Sequence, residues 1–184
     1  MVNKRSPKFK TEQPEFEQRL IDVARVTRVM AGGKRMRFRA TLAIGDRKGQ
    51  VGVGLAKGAD VTMAIQKAFN QAKKNLIRVP VYQGTVPHQV WAKFNATQVL
   101  MKPAKPGAGV KAGGPMRVLF ELAGVTDVTA KILGSNNKIN IVKATLQAFQ
   151  SFKPGAVKIL KNVKSVETPK EVSAPVKKEI KAKE

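Results

Sequence analysis

Arg35, Arg37 and Arg39 stand at alternate positions in the stretch from Gly32 to Lys57, GGKRMRFRATLAIGDRKGQVGVGLAK. Between them Met36, Phe38, Ala40, Leu42 and Ile44 keep a strict period of two, which marks a strand with one buried face. The arginines therefore share the opposite face, where their charge suits a phosphate backbone. The turn Gly45-Asp46-Arg47-Lys48-Gly49 reverses the chain into Gln50 to Lys57, where Val51, Val53 and Leu55 alternate with Gly52 and Gly54. Glycine weakens a strand, so two at alternate positions suggest a surface kept flat for close backbone approach. The chemistry expected of this hairpin is RNA binding, with Arg35, Arg37, Arg39, Arg47, Lys48, Gly52, Gly54 and Lys57 as candidate contacts. A solvated basic face with glycines at bulges is the alternative reading.

Other chemistries lack their residues. The single histidine, His88, has no second histidine with which to share a metal, and with no cysteine there is no thiolate for it to activate. The carboxylates Asp22, Asp46, Asp60, Glu121 and Asp127 are scattered, and no motif pairs a nucleophile with a base. No enzyme activity, metal, cofactor or small-molecule substrate is expected. Trp91, Tyr82 and eight phenylalanines make few stacking platforms, which disfavours recognition through splayed bases relative to backbone and groove contacts.

The charge points the same way. A chain of 184 residues carries 35 Lys and Arg against 12 Asp and Glu, a net charge of +23, far beyond what solubility needs. Residues 19 to 160 hold 24 of the bases and five of the acids, so the basicity belongs to the folding body and not to tails. The partner expected is a polyanion. The N-terminus has no hydrophobic leader, no apolar run is long enough to span a bilayer, and the charge lies on strands and loops rather than on an amphipathic helix. A soluble, unexported protein with no membrane partner is expected.

The elements that must position the hairpin follow from pattern. Residues 1–13 are polar and aperiodic, a mobile basic arm. Pro14 to Arg19 suggests a helical turn, and Leu20 to Met30 a strand whose conflicting parities, Ile21, Val23 and Val29 against Val26 and Met30, call for a bulge. The loop Ala31-Gly32-Gly33-Lys34 gathers Arg25, Arg28, Lys34 and Arg35 at one hairpin end. Asp60 is a candidate N-cap for a helix carrying Val61, Ile65, Ala68, Ala72 and Leu76 on one face and ending before Pro80. Residues 14–80 thus form a three-stranded sheet with one helix. Residues 81–160 form a second α+β unit: strands near His88 to Phe94 and Thr97 to Lys102, a glycine-rich loop from Pro103 to Pro115, a helix Met116 to Ala123 closed by Gly124, a strand Asp127 to Leu133, and a helix with Ile139, Val142, Leu146 and Phe149 on one face. The glycine-rich loop matches neither the nucleoside-triphosphate nor the dinucleotide fingerprint, and a turn, a cap or an RNA or protein contact is its expected use. Residues 161–184 alternate in charge and are expected to be disordered.

The hairpin, the helix AIQKAFNQAKKNLI, the loop PGAGVKAGGPMR and the run ELAGVTDVTAKILGSNNKINIVKAT together resemble one family over residues 19 to 153: small-subunit ribosomal protein number five of bacteria and organelles. The fold this resemblance implies is α+β in two small domains, a double-stranded-RNA-binding-like domain and a C-terminal domain with a left-handed βαβ unit. The function implied is a structural constituent of the small ribosomal subunit, in the cytoplasm or in an organelle, that binds small-subunit ribosomal RNA and supports assembly and translational accuracy near the decoding region. The partners implied are that RNA, small-subunit proteins four and eight, and messenger RNA at the channel through which it enters. Val26, Thr27 and Arg28 with the Gly32-Gly33 loop match the family's RNA-facing loop, to which the hairpin-end cluster adds Arg25 and Lys34 as candidate RNA contacts, and Gly109 and Arg117 match positions at its interface with protein four. Lys138 stands where the family usually has proline, Lys111 where an apolar residue is common and Asn95 where glycine is frequent. A free-standing double-stranded-RNA-binding module or RNA chaperone remains the alternative, and an enzyme built on the second domain's fold is a third reading.

Overall fold

The computed structural model describes residues 16–153. The expected arm over residues 1–13 and tail over 161–184 lie outside the described residues. The first half builds β1 (Glu17–Met30), β2 (Gly33–Gly45), β3 (Gln50–Gly58), α1 (Val61–Lys74) and β4 (Leu76–Arg78), with sheet order β1-β2-β3-β4 and every neighbour antiparallel. Two expectations change here. Glu17 to Arg19 is strand, paired with Gly45 to Ala43, where a helical turn was expected. Leu76, read as the last apolar position of the helix, belongs instead to a fourth strand, because α1 stops at Asn75 and Ile77 pairs with Val51. The bulge demanded by the parities of β1 lies between Leu20 and Asp22.

The two faces of this sheet are assigned by cross-strand register. Phe38, Leu42 and Ile44 pair directly with Gly58, Gly54 and Gly52, so the glycines lie on the same face as the large apolar residues. That face receives α1. Ala64, Ala68 and Ala72 recur every four residues along the helix and are fully buried against it. A Cβ on Gly52 would come within 2.5 Å of the Ala72 carbonyl oxygen, one on Gly58 within 2.7 Å of the Ala64 nitrogen, and one on Gly54 would overlap the Ala68 carbonyl. The expectation that Gly52 and Gly54 face RNA is therefore corrected. Their flat surface serves a backbone, but the backbone is that of the protein's own helix, brought close by alanines on one side and glycines on the other.

The second half builds β5 (Val90–Phe94), β6 (Thr97–Pro103), β7 (Val110–Lys111), α2 (Gly114–Ala123), β8 (Val128–Gly134) and α3 (Lys138–Gln150). Its sheet runs β5-β6-β8-β7, antiparallel except for the parallel β7–β8 pair that α2 connects. Pro115 lies in the first turn of α2, and Gly124 caps its end at φ 77°, donating its N–H to the Glu121 carbonyl at 3.1 Å. Asn137 caps α3 by accepting the Ile139 N–H at 3.1 Å. The β5–β6 turn holds Asn95 at φ 51°, a left-handed conformation that glycine or asparagine adopts most readily.

Both helices lie on one face of this sheet, over Val99, Met101 and Val128, with Phe120 set edge-on to Phe149 at 5.6 Å between ring centres. The same cluster continues into the first sheet. Ala43 and Val51, on the sheet face opposite α1, are buried in it, and Val53 packs against it. The Arg47 N–H donates to the Leu122 carbonyl at 3.0 Å, and Gly45 has no room for a side chain because the Leu122 backbone occupies it. The first unit keeps its own cluster of Leu42, Ile44, Ala68 and Ala72 beneath α1, while the second unit extends its core onto the far face of the first sheet.

Candidate nucleic-acid interface

Strands β1 and β2 outrun the rest of their sheet. Pairing of β2 with β3 ends at Phe38 and Gly58, whereas β1–β2 pairing continues to Met30 and Gly33. A two-stranded ribbon therefore projects by five residues of β2, roughly 15 Å at about 3.3 Å per residue. Met36, expected beneath the helix, lies on this ribbon and is 50% exposed, as Val29 is 75% exposed. The apolar alternation continues past the end of what covers it.

On the ribbon Arg28 pairs directly with Arg35 and Val26 with Arg37, which places these residues on one face. Like charges directly opposite one another destabilise a ladder, and an anion between them would relieve that repulsion. Val26, Thr27, Arg28, Met30, Arg35, Arg37 and Lys57 line a groove of about 240 Å³. A second hollow of about 260 Å³ continues from Arg35, Arg37 and Lys57 to Met63 and Lys67 on α1. At the tip Gly32, Gly33 and Lys34 shape a shallow concavity, with Gly33 at φ 137°. Among the described residues none of Arg28, Lys34, Arg35, Arg37, Lys57 and Lys67 pairs with a carboxylate. Lys67 was not among the expected contacts. Its spacing of four from Met63, on a turn facing the end of β3, was the available signal.

Other expected contacts are not gathered here. Arg25 pairs with Phe38 and so lies on the opposite ribbon face. Arg39 shares the parity of Arg35 and Arg37 but sits at the junction with the second unit: it is 3.9 Å from Asp22, which also binds Lys138 of α3 at 2.8 Å, and its buried Nε has no hydrogen-bond partner. Arg47 and Lys48 lie at the other end of β2. Arg47 Nε donates to Glu17 at 2.6 Å, and Arg19 links the same carboxylate to Glu121. That hydrogen bond, with the accompanying charge, holds the Glu17 carboxyl below its ordinary range and raises the Arg47 guanidinium. Arg39 and Arg47 thus serve the joint between the two units.

The glycine-rich loop supplies its own anion. Asp127 accepts the Gly109 N–H at 2.9 Å and the Thr126 hydroxyl at 2.8 Å. These bonds, the Gly109 one foremost and helped by the amides of Gly107 and Ala108, hold the Asp127 carboxyl below the usual aspartate range. Arg117 donates to the Val110 carbonyl at 3.2 Å, so Gly109 and Arg117 are brought together on one exposed corner. Among the described residues no cluster of His, Asp or Glu could hold a metal, and His88 packs edge-on against Phe152 at 5.3 Å. No helix of the described residues is long and apolar enough to cross a membrane.

Two family models match this chain. The one described as ribosomal protein S5, N-terminal domain, covers residues 16–80 and so the first sheet with its helix. The one described as ribosomal protein S5, C-terminal domain, covers residues 92–173.

Proposed function

The chain belongs to the ribosomal protein S5 family, and we propose that it seats small-subunit ribosomal RNA in the groove of its projecting ribbon. Membership makes it a structural, non-enzymatic constituent of the small ribosomal subunit that binds ribosomal RNA. The observation that carries the finer reading is the cluster of Arg28, Arg35 and Arg37 on the projecting ribbon with Lys57 at its base, none of them paired with a carboxylate among the described residues. Guanidinium groups at strand spacing match phosphates along a backbone, and the groove presents no aromatic ring, which favours backbone contacts over base reading. Gly32, Gly33 and Lys34 extend the contact at the tip. The corner formed by Gly109 and Arg117 docks small-subunit protein four, protein eight lies alongside, and the assembled surface borders the channel through which messenger RNA enters. By holding these neighbours together the protein supports assembly and translational accuracy.

Binding of the full chain to protein-free small-subunit ribosomal RNA, followed from 50 to 200 mM salt, tests the groove. Each phosphate contact contributes about 0.7 to 0.9 to the slope of log affinity against log salt, so Arg35→Ala with Arg37→Ala should lower the slope by roughly 1.4 to 1.8. An unchanged slope would locate the RNA surface elsewhere. For the second corner, Arg117→Glu should raise misreading in assembled ribosomes while RNA binding by the ribbon persists, and unchanged misreading would remove that corner from the account.

A further inference from the structure

Among the described residues no helix packs on the outer face of the second sheet. Along β5 the buried residues Val90 and Ala92 alternate with Trp91 and Lys93, which point away from α2 and α3. Register carries this face across the sheet: Trp91 pairs with Leu100 and Leu100 with Lys131, while Lys102 pairs with Thr129 and Thr129 with Lys111. Trp91 stands on the edge strand of this face and is 56% exposed, an unusual position for the largest apolar side chain. Lys93 lies two residues along the same strand, Lys102 and Lys131 follow on β6 and β8, and Lys111 lies on the far edge strand; among the described residues none is paired with a carboxylate. The two acids of this half among the described residues are engaged elsewhere, Glu121 with Arg19 and Arg117, and Asp127 with the glycine-rich loop. Among the described residues the face therefore carries four positive charges and no negative one.

We propose that this sheet face is a second RNA site, which takes single-stranded RNA by stacking one unpaired base on Trp91 while the lysines hold the flanking phosphates. Charge complementarity selects a polyanion, and the indole selects one whose flat apolar groups are free to stack. A duplex keeps its bases in the helix and offers the indole nothing. Lysine is depleted from the cores of protein interfaces, which argues against a protein partner on a patch with four of them. The site differs in chemistry from the ribbon groove, which has basic groups and no aromatic ring, and it stands whether or not the ribbon binds as proposed. A count of aromatic residues disfavours base stacking in this protein, but the placement of this one ring on an open basic sheet supplies a platform.

Trp91 is the only tryptophan in the chain, so its emission reports on this face alone. The full-length protein is titrated with a short single-stranded oligouridylate and, separately, with a duplex of the same length. Saturable quenching by the single strand, with none by the duplex, is the expected result. Trp91→Ala should weaken binding of a dye-labelled single strand by about tenfold, the scale of one lost base stack. Lys93→Gln with Lys131→Gln, which retain strand-compatible side chains, should weaken quenching at least as much, whereas Arg35→Ala with Arg37→Ala should leave it intact. Absence of quenching by the single strand would overturn the proposal even if duplex binding by the ribbon persists. Equal quenching by polyglutamate would also overturn it, by assigning the face to an acidic protein.

Discussion

Gly54 has no space for any side chain, since a Cβ there would overlap the Ala68 carbonyl of α1. A β-branched residue favours extended backbone, so on strand propensity alone a substitution to valine would stabilise β3. The helix reverses that sign. Gly54→Val should force α1 off the sheet and cost about 3 kcal/mol or more, at or beyond the upper end of ordinary overpacking, and Gly52→Val should fail in the same way. Urea unfolding checks this, and retained stability would mean that the helix can lift without loss. Leu42, 2% exposed beneath the same helix, should show the opposite fault: Leu42→Ala leaves a cavity and should cost about 2 to 5 kcal/mol. Arg37→Ala, on the free ribbon, should stay within about 0.5 kcal/mol. Stability and RNA binding should thus separate by whether a residue lies beneath the helix or beyond its end.

The glycine-rich loop between β7 and its neighbours shows how an element can resemble a ligand site and be internally satisfied. Its amide at Gly109 is directed at Asp127, which remains ionised because those N–H groups bond to the charged form. Its folded pKa is depressed, so the stabilisation is present above the ordinary aspartate value near about pH 4 and is lost as pH falls through the lower folded value. Glu17, lowered by Arg47, acts in the same direction. The Gly109 amide resonance should therefore shift as pH drops below about 4, and Asp127→Asn should abolish that shift and loosen the loop at neutral pH. A shift that persisted in Asp127→Asn would assign the titration to another group.

At the scale of the molecule, the shared core makes the two sheets one thermodynamic unit. Ala43 and Val51 are fully buried in the cluster that holds Phe120 and Phe149, and separation of the halves would bring them to water. Calorimetry should show a single unfolding transition, because neither sheet can unfold without exposing the other's packed face. Two resolved transitions would show that the contact between the sheets is weak. Gly45→Val provides a sharper test, since its side chain would displace the Leu122 backbone at the joint, and it should broaden or split that transition. The ion pairs around Glu17, Arg19 and Glu121 are largely exposed, and solvent screening leaves them little share in this stability.

The sequence by itself determined what depends on near neighbours. Alternation from Met36 to Ile44 makes a strand, Pro115 and Gly124 bracket a helix, and a short loop at Gly32-Gly33 gathers Arg28 and Arg35 at one hairpin end, so the basic cluster of the proposed groove was legible before any tertiary contact, though the direct pairing of Arg28 with Arg35 was not. The tertiary structure decided what covers each face. In β3 glycines and apolar residues alternate, and parity cannot say which set meets the helix; only register with Leu42 and Ile44 puts Gly52 and Gly54 beneath α1 and turns Val51 toward the second sheet. Arg39 and Arg47 have the residue type of RNA contacts, yet Asp22 and Glu17 claim them, because the pairing of β1 with β2 brings these two carboxylates of β1 beside them. Trp91 shows the same limit from the other side, since its strand has one buried and one open face and the choice between them was made by where α2 and α3 pack. A period-two pattern is a local property of the chain, whereas the partner of each face arrives from residues remote in sequence.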